Sequence, residues 1–152
     1  MKTFIVIDTC IILHILRNNV TGQRVLKALT NLEDEPALVV STVTKGELES
    51  LKKQQNWGET RCNFLNTFLE NVTYIDVNST DETLHTAYSD IDAFSKRKIT
   101  DAQGNVLIGS AKTMGKNDLW IAATANVLNA NLMTTDGDFD HLDKLYVNLM
   151  KF

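Results

Sequence analysis

Residues 3–17 have the sequence TFIVIDTCIILHILR, in which a short apolar run is followed at once by a longer apolar segment. The run at residues 3–7 is typical of a buried strand, and the apolar spacing at residues 9–17 is typical of a helix. Asp8 lies between them, where the strand would end and the helix would begin. A strand that passes directly into a helix indicates an α/β protein.

The rest of the chain continues this alternation of predicted strands and helices. Strands are predicted at residues 37–40, 72–77, 131–135 and 145–149. Helices are predicted at residues 22–32, 44–55, 59–70, 80–98 and 117–128, with a single turn at 139–142. Because the strands are separated by helices, we expect an α/β fold around a central, largely parallel sheet.

Residues 99–116 interrupt the alternation, since they contain Gly104, Gly109 and Gly115 and show no clean period. Such a segment is typical of an inserted loop, or of a small hairpin that turns at Gly104 and Asn105. The chain of 152 residues has the length of one domain. We therefore expect a single domain over residues 1–152, with an inserted hairpin or loop at about 99–116.

Composition and charge restrict the classes of function. The chain is 43% hydrophobic and 22% charged, which is ordinary for a soluble globular protein. Its formal net charge of −4 argues against a protein that coats nucleic acid through bulk positive charge, although a local basic patch stays open. No apolar run approaches the ~20 residues of a membrane span, so we expect no membrane partner. Two cysteines without Cys-x-x-Cys spacing favour a reduced, cytoplasmic setting.

Four acidic residues occupy equivalent positions in the predicted alternation. Asp8 follows the first strand, and Asp136 follows the strand predicted at 131–135. Glu47 and Asp118 lie near the starts of two helices, each of which follows a turn or strand end. The carboxyl ends of parallel strands form the crevice where open α/β sheets bind ligands. The four side chains are therefore expected to meet at one edge of the sheet.

Each of these carboxylates also has a purely structural interpretation, as a helix cap, a first-turn acid or a turn residue. Convergence favours a cation site, since two unit charges ~4 Å apart repel by about 4 kcal/mol at an effective dielectric near 20. Ligation by oxygen alone suits Mg²⁺ or Mn²⁺ rather than Zn²⁺. The sequence has no G-x-S-x-G, Walker or G-x-G-x-x-G motif, so a metal that acts on phosphate is the remaining chemistry.

Four segments around these carboxylates resemble the signature blocks of PIN-domain ribonucleases, and most closely those of VapC-type toxins from prokaryotic toxin–antitoxin pairs. The blocks follow in the expected order and span nearly the whole chain. The third is the most specific of them, whereas the first is weak when taken alone. The four segments are VIDTC at 6–10, STVTKGEL at 41–48, NDLWIAATA at 117–125 and TTDGDF at 134–139.

This resemblance implies a three-layer α/β/α sandwich and a divalent-metal-dependent endoribonuclease that uses Mg²⁺ or Mn²⁺. Asp8 would be the central metal ligand, with Asp118 and Asp136 completing the site. Glu47 would hold a water on the metal or a second ion, and Asp138 matches a further acidic position. The residues implied as catalytic and metal-binding are Asp8, Glu47, Asp118 and Asp136, with Asp138 as an additional metal ligand. The hydroxyls implied to support these ligands belong to Thr9, Ser41 and Thr135.

The resemblance also implies partners, namely an RNA substrate, an antitoxin protein and a second copy of the chain in a homodimer. Lys45, Lys112 and Lys116 lie near the acidic blocks in sequence and are the candidate RNA contacts. Two other functions stay open at this point. One is a catalytically silent PIN-like module that binds RNA or protein, and the other is a housekeeping nuclease that processes RNA.

Overall fold

The fold is built around a parallel sheet, seen in a computed structural model that describes residues 3–152. Residues 1 and 2 of the predicted domain lie outside the described residues. The strands are β1 (Phe4–Ile7), β2 (Ala37–Ser41), β3 (Thr73–Ile75), β4 (Asn131–Thr134) and β5 (Asn148–Lys151). The helices are α1 (Thr9–Arg17), α2 (Val20–Thr30), α3 (Thr42–Gln54), α4 (Glu59–Glu70), α5 (Glu82–Ser95) and α6 (Lys116–Val127), and a 3₁₀ segment covers Gly137–Leu142.

The strand order β3-β2-β1-β4-β5 places β1 at the centre of the sheet, and every pairing is parallel. Val6 of β1 is in register with Val39 of β2 on one side and with Leu132 of β4 on the other. The chain therefore adds β2 and β3 on one side of β1, and it later adds β4 and β5 on the other side. This reversal makes the carboxyl end of β1 a topological switch point, where ligands bind in open α/β sheets.

Helices cover both faces of the sheet, because successive side chains of each buried strand point in opposite directions. Ile5 and Ile7 pack with residues of α1, α3 and α4, whereas Val6 packs with residues of α5 and α6. The predicted α/β/α sandwich with a parallel central sheet is confirmed. Within residues 3–152, none of the helices combines the length and the apolar character needed to span a membrane.

Several predicted boundaries differ from the observed ones by a few residues; the helix predicted at 80–98, for example, spans Glu82–Ser95. Side chains and turns near the ends explain two of these differences. The helix predicted from residue 22 begins at Val20, since the Asn19 side chain accepts a hydrogen bond from the Gly22 amide at 2.9 Å. The strand predicted from residue 145 begins at Asn148. The amide of Lys144 donates to the Val147 carbonyl at 2.7 Å, and this turn occupies the predicted start of the strand.

Residues 99–115 form a loop without helix or strand, and Lys116 already begins α6, so the strand pairing of a hairpin is absent from the segment predicted at 99–116. Its turn is fixed by Asp101, whose carboxylate accepts hydrogen bonds from the amides of Gln103 and Asn105, both at 2.9 Å. Leu107 and Met114 are buried in the core on the α5 and α6 side of the sheet. The segment is thus anchored to the domain and leads directly into α6.

Candidate active site

An open cleft of about 680 Å³ lies at the carboxyl end of β1, between α1, α3 and the start of α6. The side chains of Asp8, Glu47, Asp118 and Asp136 all line this cleft. Asp138 joins them through its proximity to Asp118 and Asp136. The structure therefore brings together the five carboxylates that the sequence singled out, at the edge of the sheet where strand ends predicted them.

The tightest cluster in the cleft consists of Asp118, Asp136 and Asp138. One carboxylate oxygen of each lies within 4.8 Å of the others. Asp118 comes from the first turn of α6, and Asp136 caps the 3₁₀ segment by accepting a hydrogen bond from the Asp138 amide at 2.9 Å. This spacing suits a divalent cation that is held by carboxylate oxygens.

Electrostatic crowding in this cluster affects the pKa of the Asp118 carboxyl. Burial and the neighbouring negative charges, led by those of Asp8 and Asp136, raise the pKa of the Asp118 carboxyl to about 6. The crowded carboxylates favour uptake of a proton or of a cation, and a bound cation would reverse the sign of the local field. The donor set consists of oxygens, which matches Mg²⁺ or Mn²⁺.

Asp8 has a different setting, because its carboxylate is only 4% exposed and is held by neighbours. Its Oδ2 atom accepts hydrogen bonds from the Thr134 hydroxyl at 2.7 Å and from the Cys10 thiol at 3.0 Å. Burial raises the pKa of the Asp8 carboxyl, and these two hydrogen bonds partly offset that rise. Asp8 thus borders the cluster without being one of its three members, and its role as the central metal ligand stays a prediction from the family resemblance.

Glu47 is braced between two helices at the rim of the cleft. Its Oε1 atom accepts a hydrogen bond from the Asn117 amide group of α6 at 2.6 Å, and its Oε2 atom accepts one from the Thr9 hydroxyl of α1. The Thr44 hydroxyl lies 3.2 Å from that of Thr9. Glu47 is therefore oriented by its neighbours, apart from the cluster formed by Asp118, Asp136 and Asp138.

The three predicted supporting hydroxyls have different surroundings. Thr9 contacts Glu47, and the Thr135 hydroxyl donates to the Cys10 sulfur at 3.3 Å. Ser41 is fully buried and caps α3, with its hydroxyl accepting a hydrogen bond from the Val43 amide at 3.4 Å. Supporting contacts to the site are thus seen for Thr9 and Thr135, whereas the observed contact of Ser41 is with the backbone of its own helix.

The three candidate RNA-binding lysines are spread over the surface. Lys116 begins α6, two residues before Asp118, and is exposed. Lys45 lies over the ring of Tyr74, with its ammonium 5.1 Å from the ring centroid, and lines a separate groove. The backbone of Lys112 is tied to the end of α5 through Ser95. No lysine or arginine contributes to the described lining of the acidic cleft. Among the three candidates Lys116 is the nearest in sequence to the cluster, whereas the ammonium of Lys151, which the sequence did not single out, donates to the Asp136 carbonyl at 2.5 Å.

Sequence reasoning did not assign functional contacts to Cys10, Asn117 and Thr134, although all three lie inside the quoted blocks. Asn117 immediately precedes Asp118, and Thr134 lies two residues before Asp136. Their position beside acidic residues was the available signal. Their partners are distant in sequence, since the Thr134 contact with Asp8 spans 126 residues and the Asn117 contact with Glu47 spans 70.

Gly115 caps α6 and leaves space for the carboxylate of the cluster. A Cβ atom added at Gly115 would lie 2.8 Å from Oδ2 of Asp118, which is closer than a normal contact. The Gly115 backbone itself is ordinary, with a φ of −60°. The glycine therefore leaves room for the Asp118 carboxylate, which an added Cβ atom would displace, whereas the backbone conformation does not call for glycine.

Comparisons with known proteins agree with this architecture. The sequence model of the PIN domain matches residues 5–145. A comparison with curated proteins finds no match.

Several solved structures share the fold over almost the full chain. VapBC2 from Rickettsia felis, solved with a DNA fragment from its promoter, has a chain that is 18% identical with a TM-score of 0.72, covering 99% of both chains. VapBC-1 from nontypeable Haemophilus influenzae is 24% identical with a TM-score of 0.71 and coverage of 98% of both chains. VapBC-5 from Mycobacterium tuberculosis, a member of the VapBC family of toxin–antitoxin systems, is 20% identical with a TM-score of 0.60 and coverage of 99% of both chains.

Proposed function

Because the chain belongs to the PIN domain family, we propose that it is a divalent-metal-dependent endoribonuclease and the toxin of a toxin–antitoxin pair. One observation carries the proposal, namely the cluster of Asp118, Asp136 and Asp138 in an open cleft. A closed structural ion-pair network would supply cationic partners for these charges. Here the described lining of the cleft is acidic and lacks a basic side chain, which favours a cation from solution.

The residues present fit Mg²⁺ or Mn²⁺. Asp118, Asp136 and Asp138 would hold the ion together with Asp8, whose carboxylate lies at the adjoining wall of the cleft. When bound, the ion supplies charge neutralisation at a scissile phosphate and lowers the pKa of a water. Glu47, fixed by Asn117 and Thr9, would orient a water through a hydrogen bond at the rim.

The negative charge of the cleft would admit a phosphodiester only when a bound cation offsets it. Four carboxylates line it, so the bare protein would repel a phosphate. Lys116 is exposed at the start of α6, and Lys112 lies in the loop that leads to it, so both stay candidates for contact with a neighbouring phosphate. If these lysines and Lys45 contact RNA, affinity should fall steeply with salt concentration.

Protein partners enter the proposal through the structural comparisons. The similar chain from Mycobacterium tuberculosis is described as part of a toxin–antitoxin system, and the chain from Rickettsia felis as part of a VapBC2 assembly on promoter DNA. We therefore propose an antitoxin protein as the partner of this chain. A homodimer in a cytoplasmic setting is the further expectation, which the mass of the purified protein in solution would test.

The test is cleavage of end-labelled structured RNAs by the purified protein with Mg²⁺, with Mn²⁺ and with EDTA, beside the Asp8→Asn variant. We expect cuts that require the metal and are lost in Asp8→Asn. The variant should keep its melting temperature, because both hydrogen bonds to Asp8 end on one oxygen and the carbonyl of asparagine can accept them. Asp90→Asn, an exposed change on α5, is the matched control and should cut at the normal rate.

Two outcomes would overturn the assignment. Cleavage that survives EDTA would contradict the metal mechanism, and full activity in Asp8→Asn would contradict the site. A protein that binds no divalent metal would instead favour the catalytically silent binding module. A nuclease that no antitoxin inhibits would favour the housekeeping function in RNA processing.

A further inference from the structure

The proposed mechanism gives no role to the contacts of Cys10. Cys10 is the second residue of α1, is half-buried and lines the cleft. Its thiol lies 3.0 Å from Oδ2 of Asp8 and donates to it. The same sulfur accepts hydrogen bonds from the hydroxyl of Thr135 at 3.3 Å and from the amide of Thr135 at 3.5 Å. The thiol thus bridges the end of β1 and the segment that follows β4.

Thr134 makes a second bridge between the same two strands. Its hydroxyl donates to Oδ2 of Asp8 at 2.7 Å and accepts a hydrogen bond from the Asp136 amide at 2.9 Å. The amide must be the donor of that second contact, so the hydroxyl proton is directed at Asp8. Both bridges therefore end on the same oxygen of Asp8. One begins at Thr134 and the other, through Cys10, at Thr135, and both threonines directly precede Asp136.

Two donors on one oxygen restrict a carboxylate that would otherwise rotate. The terminal torsion of an aspartate is broad, so a single hydrogen bond leaves the second oxygen poorly defined. With Oδ2 held from two directions, the plane of the Asp8 carboxylate is fixed relative to Asp136. Within residues 3–152, both side-chain donors to Asp8 end on Oδ2, and a backbone hydrogen bond from Thr9 also acts on this carboxylate and lowers its pKa.

We propose that Cys10 is a positioning residue for the cation site, which orients Asp8 by holding its Oδ2 atom against the β4 segment. This inference rests on the proposed metal-dependent function and deepens it. Cys10 acts through Asp8 and Thr135, and it does not itself ligate the cation. Outer partners that orient metal ligands typically contribute 10- to 100-fold to metal affinity or activity.

The test measures Mn²⁺ affinity by electron paramagnetic resonance and RNA cleavage at saturating Mn²⁺ for Cys10→Ala and Cys10→Ser. We expect Cys10→Ala to weaken Mn²⁺ binding about tenfold and to lower kcat with KM for RNA nearly unchanged. Cys10→Ser should recover most of the loss, since a hydroxyl also donates and accepts one hydrogen bond in this geometry. A role in packing alone would predict similar effects of Cys10→Ala and Cys10→Ser, because alanine and serine fill similar space.

Two further variants keep the test decisive. Thr135→Val removes the hydroxyl that donates to the Cys10 sulfur while keeping the shape of the side chain, and it should weaken Mn²⁺ binding several-fold. Cys62→Ala is the matched control, since the Cys62 thiol donates to the Trp57 carbonyl at 3.6 Å and does not line the cleft, and it should change neither quantity. Unchanged Mn²⁺ affinity and kcat in both Cys10→Ala and Thr135→Val would overturn the proposal.

Failure of this inference and failure of the proposed function give different results. If the wild-type protein binds Mn²⁺ but cuts no RNA, the nuclease proposal fails while the Mn²⁺ affinities of the variants still decide the role of Cys10. If the wild-type protein binds no Mn²⁺, both proposals are overturned together. Melting temperatures of all variants establish that the changes in affinity occur in folded protein.

Discussion

Two parts of the same cleft differ in how the negative charge of their carboxylates is compensated. Asp8 is almost fully buried, and hydrogen bonds from Cys10 and Thr134 compensate part of its lost hydration. The cluster of Asp118, Asp136 and Asp138 is more exposed, and within it carboxylates crowd one another. The difference indicates that Asp8 is oriented before a cation arrives, whereas the cluster is left with a repulsion that a cation would relieve.

The largest effect should follow from removing one charge of the cluster. Asp118→Asn deletes a proposed ligand, so we expect the cleavage rate to fall by more than about 100-fold, beyond the usual effect of outer partners. The melting temperature of the metal-free protein should stay equal or rise, because a crowded charge has been removed. Initial rates and thermal melts, with Asp90→Asn as control, measure both quantities. A variant that melts earlier and still cuts RNA would contradict the comparison.

An intermediate effect should appear as a dependence on pH. The folded-state pKa of Asp118, about 6, exceeds its ordinary value of 3.8. Between these two values the folded protein binds the extra proton, so the contribution of this group to stability falls as pH rises. Below pH 6 a proton competes with the cation for Asp118, and Mn²⁺ affinity should fall about tenfold per pH unit.

Titrations of Mn²⁺ at pH 5, 6 and 7 measure this dependence. The Asp118→Asn variant should bind weakly at all three values and show a much flatter profile. The same steep slope in the variant would assign the titration to another group and would remove the basis for contrasting the cluster with Asp8.

The smallest effect should come from crowding the cluster without changing its charge. Gly115→Ala places a Cβ atom against Oδ2 of Asp118, and we expect Mn²⁺ affinity to fall by a few fold as the carboxylate moves. Gly58→Ala is a close control, because Gly58 also caps a helix but has nothing within 4 Å of an added Cβ. Both variants should melt at similar temperatures. Equal Mn²⁺ affinities in the two variants would show that the position of Asp118 tolerates displacement.

Much of the fold followed from local patterns in the sequence. The apolar run before Asp8 and the helical spacing after it predicted β1 and α1 because both elements are buried and strongly periodic. The convergence of Asp8, Asp118 and Asp136 followed from a general property of parallel sheets, namely that the carboxyl ends of the strands share one edge. These inferences needed no knowledge of individual contacts.

The finer contacts of the site depended on information that local patterns do not contain. Lys45 was grouped with Glu47 because the two are close in sequence, but residues two positions apart on a helix point to nearly opposite sides. Lys45 accordingly lies over Tyr74, away from the cleft. The contacts of Cys10 with Thr135 join residues 125 positions apart, so only the pairing of β1 with β4 could define them.

The same separation has a consequence for the order in which the protein is made. Thr134 and Asp136, which complete the surroundings of Asp8, are synthesised long after it, since Thr134 lies 126 residues further along the chain. Until then β1 has β2 beside it and no neighbour on its other side. Pairing over such a distance is slow. A protein with the proposed activity would therefore have no formed site until the β4 segment has been synthesised and has paired with β1, and the ribosome and message that produce it would not be exposed to that activity before this step.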